Sequence, residues 1–171
     1  MSRLALIAAG IAISGLFATS ARADAKDDYS REVALQAKAG APVSSEALDV
    51  LYAGRSWNWG NGAGYFSADR KRRFTAWSQT GNYWTYAKGS WYTTNSGQVC
   101  MRALWRTKMS AWPNITCFSH REKDGVIYQK PSMGGKWYVF KSNPSSPGDE
   151  SRKLRRGDLV QGHMQRLEAL R

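Results

Sequence analysis

Two histidines and two cysteines are all that this chain of 171 residues offers to thiol or metal-ion chemistry, and its 25 cations face only 13 carboxylates. His120 and His163 are too few for a multi-histidine zinc site, and neither an H-E-x-x-H helix nor a G-x-S-x-G elbow occurs. Between residues 57 and 140 the only carboxylates are Asp69, Glu122 and Asp124. All three fall in or beside predicted turns, so no facing pair suited to glycoside hydrolysis presents itself. Gly60-Asn61-Gly62-Ala63-Gly64 superficially resembles a nucleotide-binding loop. Such a loop needs a helix N-terminus after it to hold phosphate, whereas Tyr65-Phe66 begins a strand-like run, so it reads as a flexible turn. No catalytic residue, metal ligand or cofactor is therefore expected. An uncharacterised hydrolase stays open only if a pocket brings Asp69 or Glu122 near His120.

Membrane-spanning length is also missing at the N-terminus. Residues 4–18 are uncharged and mostly apolar but short of the roughly 20 residues a spanning helix needs. Arg3 precedes them and Ala21-Arg22-Ala23 supplies small residues at a cleavage position, so residues 1–23 read as a cleaved signal peptide. No cysteine follows to carry a lipid. The mature chain, residues 24–171, is expected to be periplasmic or secreted. Losing Arg3 and Arg22 lowers the formal net charge from +12 to +10. In that compartment nucleic acid is scarce, and a basic protein points to acidic polysaccharide, lipopolysaccharide or an anionic membrane surface. The charges are not confined to one run, so solubility is an equally open explanation of them.

What the sequence does hold is aromatic. Residues 57–140 contain all eight tryptophans, both cysteines and 18 of the 21 aromatic residues. Alternating aromatic and β-branched positions punctuated by Gly, Asn and Asp predict short strands at 56–59, 64–68, 73–79, 83–87, 90–94, 98–106, 115–121, 126–130 and 136–140. Asn61-Gly62, Gly81-Asn82, Asn95-Ser96-Gly97, Asp124-Gly125 and Gly134-Gly135 supply the turns. In the sixth strand Val99, Met101, Ala103 and Trp105 share one face, and Arg102 and Arg106 the other. The fold class expected is mainly β: a small antiparallel meander or barrel-like domain with a short N-terminal helix and a C-terminal helix.

Cys100 and Cys117 lie in two of these segments. If the segments pair as a hairpin with the cysteines opposite, the turn centres near Lys108 and Met109 and the two are close enough for a disulfide. Closing that loop would stabilise the fold by roughly 3 kcal/mol. A reactive Cys117 with His120 as its base is the competing reading, but two cysteines in an exported chain point to a bridge.

Four regions follow. Residues 1–23 form the leader and 24–43 a flexible lead-in without a sustained apolar stripe. The β domain, residues 44–140, opens with a helix that Ser44 can cap, with Leu48, Leu51 and Tyr52 on one face and Gly54 at its exit. Residues 141–171 combine a Ser/Pro/Gly linker, the basic cluster Arg152, Lys153, Arg155 and Arg156, and a helix with Val160, Met164, Leu167 and Leu170 near one face. That helix would serve as an anchor at an anionic surface or fold back onto the barrel mouth.

Most tryptophans belong to a core of this kind. Trp57 and Trp59 point to one side of their strand. On an open face with Arg55, Arg102 and Arg106 they would form a platform for sugar rings or a basic mouth for an anionic amphiphile. These five are the candidate ligand-binding residues, and Cys100 and Cys117 the candidate disulfide.

The ordered set Leu51-Tyr52-Ala53-Gly54-Arg55-Ser56-Trp57, Trp59-Gly60, Gly64-Tyr65-Phe66, Phe74-Thr75-Ala76-Trp77, Gly89-Ser90-Trp91-Tyr92, Val99-Cys100, Cys117-Phe118 and Lys136-Trp137-Tyr138-Val139-Phe140 resembles the exported proteobacterial family called domain of unknown function 995. That resemblance implies a Gram-negative envelope protein with no established activity and no catalytic residues to carry over. The helix leading into Gly54 is also similar to the start of lipocalin-like barrels. The spacing here is G-x-x-W rather than G-x-W and the strands are shorter, so a lipocalin-sized cavity is not expected. The function expected is an exported envelope protein that binds an anionic component. The alternatives are a structural or regulatory protein acting through protein contacts and, third, an uncharacterised hydrolase.

Overall fold

A computed structural model describes residues 17–170, with side chains from residue 25 onward. The expected signal peptide lies mostly outside these residues. The chain runs α1 (Phe17–Ala39), β1 (Ala41–Pro42), α2 (Ser45–Tyr52), β2 (Arg55–Asn58), β3 (Gly62–Phe66), β4 (Arg73–Thr80), β5 (Tyr83–Thr94), β6 (Gln98–Arg106), β7 (Ala111–Lys123), β8 (Val126–Pro131), β9 (Tyr138–Lys141), a 3-10 turn (Glu150–Lys153), β10 (Leu154–Arg156) and α3 (Gln161–Ala169). The strands form one antiparallel sheet in the order β10-β2-β3-β4-β5-β6-β7-β8-β9, with β1 added beside β7. This mainly β half-barrel is the expected class.

Period-two alternation divides the sheet into an inner and an outer face. Trp57, Phe66, Phe74, Ala76, Ala87, Trp91, Val99, Met101, Ala103, Ile127 and Phe140 point inward and pack on Leu48 and Tyr52 of α2. Helix α2 closes one end as expected: Ser44 Oγ accepts from the Ala47 N–H at 3.2 Å, and Gly54 leaves the helix at φ 71°. Asp49 binds Arg72 from the β3–β4 connection and accepts from Thr93 at 2.9 Å, so the helix is tied to two neighbouring parts of the sheet. The β6–β7 hairpin brings Cys100 opposite Cys117, and the two are disulfide-bonded with Cα atoms 4.1 Å apart. His120 lies three residues beyond Cys117 and so faces inward where the cysteine faces outward, which removes the thiol–base pairing.

The predicted lead-in differs from expectation. Residues 24–39 of it belong to α1, where Val33 and Ala37, one turn apart, are buried on the outer face against Tyr128. Arg121 Nε donates to the Gly40 carbonyl at 2.9 Å, and Ala41–Pro42 pair with Glu122 and Arg121. Two buried residues make no visible apolar stripe, which is why the helix is silent in the sequence.

The expected linker and tail are ordered as well. Asp149, 5% exposed, accepts from Ser142 N (3.1 Å), Ser142 Oγ (2.6 Å), Ser145 Oγ (3.0 Å) and Ser146 N (3.0 Å), which knots residues 142–149 into one turn. The basic cluster enters the 3-10 turn and β10, whose Leu154 is buried in the core. Helix α3 is neither a free anchor nor a lid on the mouth. Its Val160, Met164 and Leu167 are covered by Ala63, Tyr86, Tyr65, Trp77 and Trp84 on the outer wall, and His163 stacks on Trp77 at 3.8 Å.

Candidate functional site: an aromatic cavity inside the half-barrel

The inner face does not fill completely. Gly64, Ala76 and Ala87 stand side by side across β3, β4 and β5, and Gly89 faces Ala103 across β5 and β6. Between the larger inner side chains a hollow remains. Its volume is about 550 Å³, and Trp57, Trp59, Phe66, Phe74, Met101, Trp105 and Phe118 line it with the hydroxyls of Ser78, Thr85 and Thr116. Volume and chemistry are those of a pocket for a small apolar or amphipathic molecule.

The aromatic walls are held in place by neighbours. The Trp57 indole meets Phe118 edge-on at 4.9 Å and Tyr52 at 6.1 Å, and its N–H donates to Glu150 Oε1 at 3.2 Å. Glu150 also pairs with Lys153 at 2.7 Å, so the 3-10 turn fixes the ring from behind. Trp59 lies across β3 because Gly62 and Gly64 present no side chain there. A Cβ at Gly62 would come within 2.4 Å of Trp59 Nε1, and one at Gly64 within 2.8 Å of the Phe74 ring. The Gly60–Gly64 run is therefore only partly a turn, since Gly62 and Gly64 are strand residues that make room for rings. Alternate glycines inside a strand pattern are the signal for such close approach.

Of the five candidate ligand-binding residues, the structure brings together two. Trp57 and Trp59 line the cavity, while Arg102 and Arg106 lie on the opposite face of β6 from Met101 and Trp105. Arg55, paired with Phe66 and Arg156 at the α2 end of β2, is not among the lining residues. The tryptophan–arginine platform is not formed: Arg102 and Arg106 alternate with Met101 and Trp105 and face outward, while Arg55 shares the Trp57 face but stands at the α2 end, outside the cavity lining. Phe66, Phe74, Met101 and Phe118 were not singled out by sequence reasoning, although their even spacing from other inner residues marks their face.

Beyond the cavity, the inner face carries one buried polar cluster. His120 and Gln129 are fully buried. His120 Nε2 lies within hydrogen-bonding distance of Tyr52 OH, at 2.9 Å, and of the Gln129 side-chain amide, at 2.6 Å. Gln129 Nε2 also donates to Tyr52 OH at 2.8 Å, and Tyr138 OH donates to Gln129 Oε1. Burial drives the His120 pKa down to about 4 against a smaller opposing pull from the Gly97 and Phe118 backbone, so the ring is neutral at pH 7. Burial likewise raises the Tyr52 hydroxyl far above its ordinary range. Asp69 is paired with Arg73, and Glu122 sits exposed opposite Ala41, so neither joins this histidine. Among the described residues no cluster of three His, Cys, Asp or Glu side chains could hold a metal ion. The groove between α3 and β4–β5 is lined by both signs of charge, with Lys88 already paired to Glu168.

Compared with known proteins, residues 14–160 match the model of one family, described as protein of unknown function (DUF995). No curated protein matches the chain, and no solved structure does.

Proposed function

Because the chain belongs to the DUF995 family, whose description records no activity, its function has to be read from the cavity, and we propose that it is an exported cell-envelope protein that binds an anionic amphiphile. The observation that carries this reading is the cavity of about 550 Å³ walled by three tryptophans, three phenylalanines and a methionine. Acidic polysaccharide, lipopolysaccharide and anionic lipid all suit a basic envelope protein. The walls favour the two with a hydrocarbon part, since a polysaccharide would find few hydrogen-bonding partners among Ser78, Thr85 and Thr116. The signal-peptide pattern of residues 1–23 and the Cys100–Cys117 bridge support an oxidising compartment outside the cytoplasm. A docking protein that works through surface contacts alone would have no use for an interior hollow of this size.

The test is titration of tryptophan fluorescence with a monomeric lysophosphatidylglycerol, with an acidic polysaccharide as comparator. Thr85→Phe fills the hollow, and Trp59→Ala removes a wall. Each is expected to weaken lipid binding at least ~tenfold while the fold persists. Equal binding by wild type and both variants, or binding of the polysaccharide alone, would overturn the reading.

A further inference from the structure

The end of the half-barrel opposite α2 is built from hairpin tips that do not resemble ordinary polar turns. Registers Thr80↔Tyr83, Arg106↔Tyr86 and Arg106↔Ala111 place the β4–β5 and β6–β7 tips side by side at this end. Helix α2 sits at the other end, where Ser45 hydrogen-bonds Asn95 of the β5–β6 turn. The tips project Tyr83, 86% exposed, and Met109, 93% exposed, into solvent. Trp112, 41% exposed, stands opposite Trp105 in the hairpin register, and Trp105 lines the cavity. The aromatic surface thus runs from the cavity wall to the exposed tip.

Charge accompanies it. Residues 70–121 contain nine Lys and Arg and no Asp or Glu. Arg72, Arg73 and Lys88 find acidic partners elsewhere, whereas Arg106 and Lys108 at the tip make no ion pair among the described residues. Unpaired cations flanking exposed Met, Trp and Tyr are the composition that favours the interface of an anionic bilayer. The edge beside the tip also argues against strand addition by a protein. Pairing of β7 with β8 starts only at Phe118, leaving residues 111–115 exposed, and Pro113 removes a backbone donor there.

We propose that this open end is a membrane-docking surface, with the β6–β7 tip seated among the headgroups of an anionic lipid bilayer so that the cavity faces the lipid from which it loads. The inference rests on the amphiphile reading for its purpose, but the docking is measured independently of the cavity. Full chains, wild type and variant, are sedimented with phosphatidylcholine vesicles with and without phosphatidylglycerol, at low and physiological salt. Monomeric lysophosphatidylglycerol binding is followed in parallel.

Wild type should bind the phosphatidylglycerol vesicles and release with salt. Met109→Glu with Trp112→Glu should lose at least ~tenfold in vesicle affinity while monomer binding is kept, and Met109→Leu should restore the behaviour of the wild type at that position. Arg106→Gln and Lys108→Gln should each weaken vesicle binding about fivefold. Near-ultraviolet circular dichroism checks that the variants keep their packing. Vesicle binding unchanged in the tip variants, including binding driven by the apolar N-terminus, overturns the docking proposal and leaves the cavity reading intact. So does absence of vesicle binding by the wild type, whether or not a purified envelope protein is captured at the same tip. Vesicle docking that depends on the tip, with no monomer binding, overturns the cavity reading instead.

Discussion

At the scale of single residues, the buried His120 makes the fold sensitive to mild acid. The neutral ring bonds within the Tyr52–Gln129 cluster through Nε2, and a second proton would place a charge inside an apolar core. The folded pKa, about 4, lies below the ordinary 6.5, so the unfolded chain binds the proton more tightly. Stability from this residue is therefore complete above pH 6.5 and lost as pH falls toward 4, a change on the order of 3 kcal/mol. Urea unfolding measured from pH 7 to 4.5 should show it, and His120→Gln should flatten the slope in that window; an unchanged slope would mean that the ring is not the group that titrates. Asp149 acts lower. Burial opposes its ionisation, but the hydrogen bonds from Ser142, Ser146 and Ser145 outweigh that and hold the pKa at about 2. Its contribution persists to about pH 3.8 and fades only below it, so the two residues can be separated by pH alone. The Tyr52–His120–Gln129 cluster left no trace in the sequence, because its members come from three elements and each is unremarkable in its own segment.

At the scale of elements, β5 shows how a local signal can mislead and what corrects it. Gly89 reads as a break between two short strands, yet Tyr83–Thr94 is continuous. A Cβ at Gly89 would lie 2.0 Å from the Arg102 carbonyl oxygen and 2.6 Å from Ala103 Cα, so glycine is there because β6 passes over it. Gly89→Ala should cost at least about 1–3 kcal/mol in denaturant unfolding, whereas Gly148→Ala, with nothing within 4 Å, should be close to neutral. Most of the remaining sheet was legible for physical reasons. Asp124 and Gly125 both adopt positive φ, 54° and 78°, as a two-residue hairpin turn demands. The cysteines met because a hairpin of that spacing has one register in which they can. Helix α1 and the Asp149 turn escaped notice because two buried residues in one case and a single carboxylate in the other organise them. Neither produces a periodic pattern.

At the scale of the whole molecule, the cavity depends on the placement of β2, and β2 is flanked by the part of the chain that composition marked as a tail. The sequence identified Trp57 and Trp59 as candidates, but the hollow beside them is lined by residues brought together from β2 through β7, which no window of sequence contains. Arg102 and Arg106 were misplaced for the opposite reason: their alternation with Met101 and Trp105 was visible, and it puts them outside. What holds the outer side of β2 in place is the C-terminal segment. Strand β10 pairs with β2, Leu154 enters the core, and Glu150 anchors the Trp57 indole. Helix α3, in contrast, covers only the outer wall, and the family match ends at Val160, just before it. Two truncations should therefore behave differently. A chain ending at Gly157 keeps β10 and should fold with the cavity intact, at reduced stability and with a tendency to self-associate through the uncovered Trp77, Trp84 and Tyr86. A chain ending at Ser142 loses β10, one of the two pairing partners of β2, and the anchor of Trp57. It should lose monomeric lipid binding and cooperative unfolding together, as read by fluorescence titration and thermal melting. Retention of lipid binding in the shorter chain would show that β2 and Trp57 hold their place without β10 and Glu150.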